Sequence, residues 1–239
     1  MTRHVVLDSN VHRDVRVRTG VSPEFGDGVM ACLTVPTEFR RVQNEFPILF
    51  RRDLDRGQFS ALALFGFENG ENLFVEDGQW TARYRPLALS IQPFLVGRSA
   101  VRDEAEVHVD LDHPRIAGAG DEGVRAFDDD GRPTEFLESV IAGLDELDQG
   151  YRGLGDFFAA LQRYELLEPF ALDVELRDGS KHRLVGYHLI DEEKLRALEP
   201  GAVAELHSAG YLMPIFMAVA SLSNISSLVA RKNRRHGHG

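Results

Sequence analysis

Histidine and carboxylate side chains recur at alternate positions near residue 110 and form the clearest metal-ligand pattern in the chain. His108, Asp110 and Asp112 would point to one face of a β-strand, and His113 lies next to them. Two imidazoles and one carboxylate are a ligand set that transition metals accept. Any solvent-exposed strand has the same spacing, because successive side chains point to opposite faces. We therefore predict no metal site, and a metal held by His108 and Asp110 remains the alternative.

A second group combines aromatic and polar side chains within residues 63–97. Glu71 and Asn72 precede an apolar run, and Trp80, Tyr84 and Phe94 follow it. Aromatic rings beside carboxylates can form a recognition surface, although the same pattern also builds the core of β-rich domains. The Asn72 amide can contact a ligand or satisfy the adjacent turn. We predict these five as ligand-binding residues, with core packing and turn formation as the alternatives.

Motifs of nucleophilic and phosphoryl-transfer enzymes are absent from the sequence. The sequence therefore identifies no catalytic residue and no cofactor. Cys32 is the only cysteine and lies in an apolar strand pattern, where a buried, inert thiol is expected. One cysteine excludes an intramolecular disulfide and a cysteine-rich zinc site, and it fits a reducing compartment. Catalysis stays open, because Ser, His and Asp side chains can assemble across a fold.

The charge balance argues against nucleic acid as a partner. The chain of 239 residues carries 27 Lys and Arg against 38 Asp and Glu, a net charge of −11. Such a surface repels phosphate backbones, and a duplex-binding protein needs clustered basic side chains. We interpret the short basic run RKNRRH at 231–236 as a solvated, frayed helix end.

A cytoplasmic location is predicted from the first residues. Only residues 5–7 are apolar before charge resumes, so the hydrophobic region of a signal peptide is missing. Residues 208–230 are uncharged and precede basic residues, which resembles a membrane anchor. Pro214 interrupts this segment, and serines make its second half too polar for an isolated span. We therefore predict a long core helix and no membrane span.

Short β-branched or aromatic runs dominate the first half of the chain and predict an antiparallel sheet. The predicted strands cover residues 4–7, 14–17, 29–35, 48–51, 59–65, 73–75, 80–84, 94–96 and 106–111. Thr37 is expected to cap a brief helix through Asn44, which ends before Pro47.

Helical patterning dominates the second half. An apolar stripe after Pro133 predicts a helix that Gly150 terminates, and Leu154–Leu161 predict a second helix, so the two form a helical hairpin. Alternating apolar residues on both sides of Asp178-Gly179 predict a β-hairpin at 170–190.

The remaining signals predict further helices and complete the fold class. Asp191 is expected to cap one helix, Pro200 to open another, and a long final helix to follow Gly210. The prediction is an α+β protein with a single domain over 1–239, a β-rich half (1–112) and a helix-rich half (132–235).

Six sequence motifs occur in order across almost the whole chain. They are FPILF at 46–50, ALFGFENGENLFVEDGQW at 63–80, FDDDGRPTEFL at 127–137, LLEPFALDVEL at 166–176, GYHLIDEEKL at 186–195 and YLMPIFMAVASLSNISSL at 211–228. Together they resemble the bacterial SapC family of soluble proteins. The resemblance supplies no catalytic residues. It implies association with a surface-layer protein locus, or with genes for flavin-dependent halogenases, cupin-like oxygenases and outer-membrane receptors.

The functional prediction is a non-catalytic accessory protein that binds a small molecule, a peptide or a protein partner. The alternative is an enzyme that acts on an amino-acid-derived small molecule, with or without a metal. A third hypothesis is a scaffold for a homodimer or for a halogenase-like neighbour that uses the apolar final helix as its interface. Ala220, Asn224 and Ser227 form a small or polar stripe on this helix, which would let another element approach closely or would hydrogen-bond within the fold.

Overall fold

The computed structural model describes residues 3–98, 105–118 and 122–236 and has the predicted α+β class. Its strands are β1 (His4–Val6), β2 (Arg16–Val17), β3 (Ala31–Thr34), β4 (Ile48–Arg52), β5 (Phe59–Leu64), β6 (Val75–Glu76), β7 (Gln79–Trp80), β8 (Phe94–Arg98), β9 (Ala105–Asp110), β10 (Val124–Arg125), β11 (Leu167–Glu175) and β12 (Lys181–Ile190). Its helices are α1 (Phe39–Val42), α2 (Leu87–Ser90), α3 (Glu135–Arg163), α4 (Glu192–Arg196), α5 (Pro200–Ser208), α6 (Leu212–Ser221) and α7 (Asn224–His236).

The chain divides into two compact units, and each unit draws on both halves of the sequence. Unit 1 comprises Met1–Gly28, Val75–Trp80 and Leu87–Gln149; unit 2 comprises Val29–Phe74, Thr81–Pro86 and Gly150–Gly239. Strand content is therefore not confined to a β-rich first half, because the C-terminal hairpin contributes two long strands to unit 2. The single-domain prediction stays a prediction.

Unit 1 is built on small sheets. Its antiparallel sheets have the strand orders β1-β9-β8, β10-β2 and β6-β7. Val109 of β9 is fully buried and faces Phe94 of β8, whose ring lies 6.2 Å from the ring of Phe136 at the start of α3. Sheets of two or three strands need cover from helices or loops to be stable.

A buried ion pair connects the loops of unit 1. The Arg115 guanidinium donates to both carboxylate oxygens of Asp27, at 2.8 and 2.6 Å, and to the carbonyl oxygens of Arg18 and Gly20. The Asp27 and Arg115 side chains are 0% and 3% exposed. The Ser22 amide donates to the same carboxylate, at 2.9 Å. Each charge thus has several hydrogen-bond partners, which burial requires.

Unit 2 is organised around a five-stranded antiparallel sheet of order β11-β12-β4-β5-β3. The predicted hairpin is confirmed: β11 pairs with β12 from Leu167↔Ile190 to Glu175↔Lys181, and Gly179 adopts the left-handed conformation at the turn (φ 82°). β12 then pairs with β4 through Tyr187↔Arg51, which joins distant parts of the sequence.

Phenylalanine rings fill the core of unit 2. Phe39 and Phe157 are both fully buried and meet edge to face at 6.2 Å. Phe50 meets Phe158 in the same way at 5.5 Å. Aromatic residues bury large apolar areas, so this cluster supplies much of the hydrophobic stabilisation of unit 2.

The prediction of a helical hairpin is wrong, because α3 runs unbroken through Gly150. A glycine ends a helix when it adopts the left-handed conformation, and Gly150 is not among the residues with positive φ. Its role is steric: a Cβ there would lie 2.5 Å from Val35 Cγ2 and 3.0 Å from Thr37 Oγ1. Gly150 therefore allows α3 to approach that loop closely.

The C-terminal segment consists of two helices instead of the single long helix predicted. α6 and α7 are separated at Leu222–Ser223, where amides bond to carbonyls three residues earlier, as in Leu222 N to Val219 O (3.2 Å). The hydroxyls of Ser221 and Ser223 also donate to carbonyls three residues earlier, at 2.6 and 2.9 Å. Such serine bonds compete with regular helical bonds.

The cap predictions have mixed outcomes. Asp191 caps α4 by accepting from the Lys194 amide at 3.0 Å, and Pro200 occupies the first turn of α5, as predicted. The prediction that Thr37 caps α1 is wrong, because Glu38 precedes that helix and makes no side-chain cap bond.

Candidate functional site

Asn72 forms a turn in unit 2. Its side chain is buried, and its Oδ1 accepts from the Phe74 amide at 3.0 Å. This is the local side-chain to backbone bond expected where an asparagine fixes a turn. The geometry favours the turn over direct contact with a ligand.

Glu71 belongs to an internal ion-pair cluster in unit 2. Its Oε2 accepts from the Phe67 amide at 2.9 Å, and its Oε1 accepts from Lys232 Nζ at 2.5 Å. Lys232 Nζ also donates to Glu68, at 3.2 Å, and the Lys232 side chain is 2% exposed. His182 Nδ1 lies 3.0 Å from Glu68. Lys232 is therefore buried and paired, which contradicts the interpretation of 231–236 as a solvated tail.

Tyr84 also engages unit 2 internally. Its hydroxyl donates to Glu38 Oε1 at 2.6 Å, and Thr34 Oγ1 donates to Glu38 Oε2 at 2.7 Å. Glu38 is fully buried, so these two donors satisfy a carboxylate that water does not reach. Burial, followed by the Glu38 charge, raises the pKa of the Cys32 thiol well above its usual value. Burial is also the largest cause that raises the pKa of Tyr151 to about 12, followed by the charges of Cys32 and Glu38.

The other two predicted ligand-binding residues lie in unit 1. Trp80 is half-buried in β7 and faces Val75 of β6. Phe94 is 2% exposed and packs in the core of its unit. The structure gives Glu71, Asn72, Tyr84 and Phe94 internal contacts, and a ligand role for the five residues stays a prediction.

The histidines near residue 110 have carboxylate neighbours within unit 1. His4 Nε2 lies 3.7 Å from Asp110, and His108 Nε2 lies 3.8 Å from Glu106. His113 Nδ1 accepts from the Arg115 amide at 3.1 Å. Over residues 3–98, 105–118 and 122–236, no three His, Cys, Asp or Glu side chains are grouped as a metal site requires.

A surface cavity of about 290 Å³ lies within unit 2 where the last turns of α3, α5 and the start of α6 meet. Its lining includes small or apolar side chains and polar ones at its edge. They are Asp156, Ala159, Ala160, Arg163, Tyr164, Glu205, Leu206, Ala209 and Tyr211. The volume is close to the lower end of the range for small-molecule sites.

The end of α5 positions one wall of this cavity. Gly210 adopts the left-handed conformation (φ 76°), and its amide donates to His207 O at 3.0 Å. The next amide, of Tyr211, donates back to Leu206 O at 2.8 Å. This pattern is the Schellman cap, which ends a helix and reverses the chain. Tyr211 is thereby held against α3, where its ring meets Phe157 edge to face at 5.5 Å.

The polar edge of the cavity contains both signs of charge. Arg163 lies 3.1 Å from Glu205, and its guanidinium lies 5.3 Å from the centre of the Tyr164 ring. The Tyr164 hydroxyl donates to Glu205, and this hydrogen bond is the main reason that the pKa of Tyr164 is raised. Burial, followed by Asp156, raises the pKa of Tyr211. Both phenols are therefore neutral donors at physiological pH.

Sequence reasoning missed this cavity. Its residues come from segments about forty positions apart, and none of the five predicted ligand-binding residues lines it. The available signal was the pair of small residues Ala159 and Ala160 beside Arg163 on the predicted helix. That signal did not identify the facing element, since only the packing of α5 provides it.

The SapC family profile matches residues 7–228, nearly the whole described chain. The chain therefore belongs to the SapC family, as its motifs indicated. No curated protein and no solved structure matches it.

Proposed function

We propose that this SapC-family protein is a non-catalytic accessory protein that binds an amino-acid-derived small molecule or a short peptide. The observation that carries the proposal is the cavity formed by α3, α5 and α6 in unit 2. A concave site with apolar walls and a few convergent polar groups is the usual form of a small-molecule site.

The chemistry of the cavity suits a zwitterion with a short apolar part. Arg163 can pair with a carboxylate, for which its planar guanidinium is well shaped. Asp156 can pair with an ammonium group, and the Tyr211 hydroxyl can hydrogen-bond to either charged group. Ala159 and Ala160 leave space for the apolar part of the ligand.

The protonation of Cys32 and the pairing of Glu205 favour a binding role over catalysis. Cys32 is the only cysteine, and its raised pKa keeps the thiol protonated, whereas the thiolate is the reactive form. Glu205 at the cavity edge is already paired with Arg163 and Tyr164. The scarcity of thiols and the net charge of −11 support a cytoplasmic location without nucleic acid as a partner.

Isothermal titration with the twenty amino acids and a set of dipeptides tests the proposal. At least one ligand should bind saturably, and Ala209→Trp should weaken it at least about tenfold, about 1.4 kcal/mol, because the indole fills the cavity. Ala204→Trp is the matched control, since Ala204 is exposed on α5 and lies outside the cavity. Equal affinity in both variants would refute the cavity as the site.

Two further measurements separate the alternatives. Mass spectrometry of the bound ligand after prolonged incubation should recover it unchanged, and conversion to a product would favour the enzyme. Trp80→Ala should retain affinity. Loss of binding in folded Trp80→Ala, with normal binding in Ala209→Trp, would move the site to the residues predicted from sequence.

A further inference from the structure

One face of the C-terminal helices of unit 2 is apolar and exposed. Residues Leu212–Arg235 are long and apolar enough to cross a membrane by length and composition alone. Their most apolar 18-residue window has a mean hydropathy of 1.7, yet only 28% of that window is buried. Met213 and Phe216 are 58% and 54% exposed. A helix that served only as the core of unit 2 would bury such side chains.

The exposed positions follow a regular spacing. Met213, Phe216, Ala220, Ser223, Ser227 and Ala230 are all exposed and lie at successive steps of three, four, three, four and three residues. This 3.5-residue period is that of a helix seam that packs against another helix. None of the six carries a charge. We name this set the α6–α7 seam.

The backbone keeps the seam on one face across the break between the helices. Leu222 remains in the right-handed helical region (φ −64°, ψ −24°), and the amides of Leu222, Ser223 and Ile225 donate to carbonyls three residues earlier. The chain thus continues in helical sense from α6 into α7.

We infer that the α6–α7 seam is the interface of a homodimer, in which the seams of two copies pack antiparallel about a two-fold axis between Ala220 and Ser223. In this register Met213 faces Ala230, Phe216 faces Ser227 and Ala220 faces Ser223 of the second copy. The two large residues occupy one end of the seam and the small ones the other. Each large side chain therefore meets a small one, and the surface is complementary to itself, as a two-fold interface requires.

Charge supports the same partner and orientation. Two copies with a net charge of −11 each repel one another, but the seam itself is neutral. The antiparallel register also carries Arg234 and Arg235 of one copy past the first turn of α6 in the other. The cavity beside Tyr211 is lined there by two acidic side chains, Asp156 and Glu205, and one basic side chain, Arg163.

Light scattering coupled to size-exclusion chromatography tests the dimer. The wild-type chain should have about twice the monomer mass of 26.7 kDa. Phe216→Glu should halve the measured mass, because a charge enters the neutral seam. Leu54→Glu is the matched control: Leu54 is 91% exposed and lies outside the seam, so the mass should not change. A wild-type monomer at 100 µM, roughly the upper range for a useful interface, overturns the inference.

A size swap tests the register. Ser227→Phe places two rings opposite one another and should weaken the dimer, whereas Phe216→Ser with Ser227→Phe restores one large and one small residue in each pair and should rescue it. Circular dichroism monitors folding in every variant. Failure of rescue in a folded double variant overturns the antiparallel register.

Cysteine crosslinking gives an independent readout. Phe216→Cys with Ser227→Cys should form a covalent dimer on mild oxidation, since residues eleven apart on one helix, roughly 16 Å, cannot bridge within a copy. Crosslinking by Phe216→Cys alone would indicate a parallel pair and overturn the proposal. So would a monomer that sediments with phosphatidylglycerol vesicles, because the seam would then be a lipid-binding face. Ligand affinity in Phe216→Glu reports separately on the cavity.

Discussion

The two units are stabilised by different chemistry at their centres. Unit 1 has small sheets and a buried Asp27–Arg115 pair that binds the loops through four hydrogen bonds from the guanidinium. Unit 2 has a five-stranded sheet covered by packed rings such as Phe39 and Phe157. The centre of unit 1 depends on hydrogen-bond partners for each buried charge, and the centre of unit 2 depends on close packing of apolar side chains.

This difference predicts which substitutions each unit tolerates. A buried charge pair contributes little net stability as a whole, but removal of one partner leaves the other charge buried and unpaired. An aromatic core loses stability in proportion to the apolar volume removed, and it also resists added atoms. The Asp27–Arg115 site should therefore be sensitive to the loss of a charge, and the phenylalanine core of unit 2 to changes of shape, while unit 2 also buries charged groups at Glu38 and Lys232.

The largest effect is expected for Arg115→Met in unit 1. This substitution leaves the Asp27 carboxylate buried without its charged partner and should lower the free energy of unfolding by about 3–5 kcal/mol in urea titrations. Adding Asp27→Asn should recover part of that loss, because the unpaired charge is then gone. Arg132→Met breaks the exposed pair with Asp130 and should cost less than about 1 kcal/mol. Equal losses in the two single variants would remove the distinction between a buried and an exposed ion pair of unit 1.

An intermediate effect is expected for Gly150→Ala in unit 2. The added methyl would lie 2.5 Å from Val35 Cγ2, so the core must shift and stability should fall by about 1–3 kcal/mol. Gly153→Ala is the control on the same helix, because its Cβ would meet nothing within 4 Å. That variant should gain about 0.5–1 kcal/mol from helix propensity. Thermal unfolding of both variants tests whether Gly150→Ala lowers stability while Gly153→Ala raises it.

The smallest effect concerns His113 in unit 1. Burial, followed by the Arg115 charge, lowers the pKa of His113 in the folded chain, while Asp110 and Asp27 partly oppose this. Between that lowered value and about 6.5, the unfolded chain binds a proton that the folded chain does not, so stability falls as pH falls through this window.

Urea titrations at pH 7.5 and pH 5.5 measure this effect. The decrease in stability on acidification should be smaller in His113→Gln than in the wild type. His188, whose pKa is also lowered by burial, titrates equally in both proteins, so the comparison isolates His113. An identical pH dependence in the two proteins would contradict the assignment.

Local signals in the sequence predicted most elements of the fold. Alternation on both sides of Asp178-Gly179 identified the hairpin, and Asp191 and Pro200 identified two helix starts. These features depend on residues within a few positions of one another, so a single sequence contains all the information they need. The family assignment succeeded for a similar reason, since its motifs are contiguous.

Predictions failed where the role of a residue depends on a contact with a distant part of the chain. The pattern predicts a helix end at Gly150, but the Val35 side chain explains the glycine and becomes a neighbour only after folding. The basic run at 231–236 was interpreted as solvated, but Lys232 meets Glu68 and Glu71 more than 160 positions earlier. Neither partner can be identified from local pattern.

By itself, the sequence determined the α+β class, the hairpin, the family and the acidic, single-cysteine composition, because these follow from residue type and short-range periodicity. Only the tertiary structure decided that Asn72 and Glu71 serve internal bonds, that α3 stays continuous, that a cavity forms beside Arg163, and that the α6–α7 seam stays exposed. Burial and proximity depend on contacts between segments far apart in the chain, and those contacts exist only once the backbone has closed on itself.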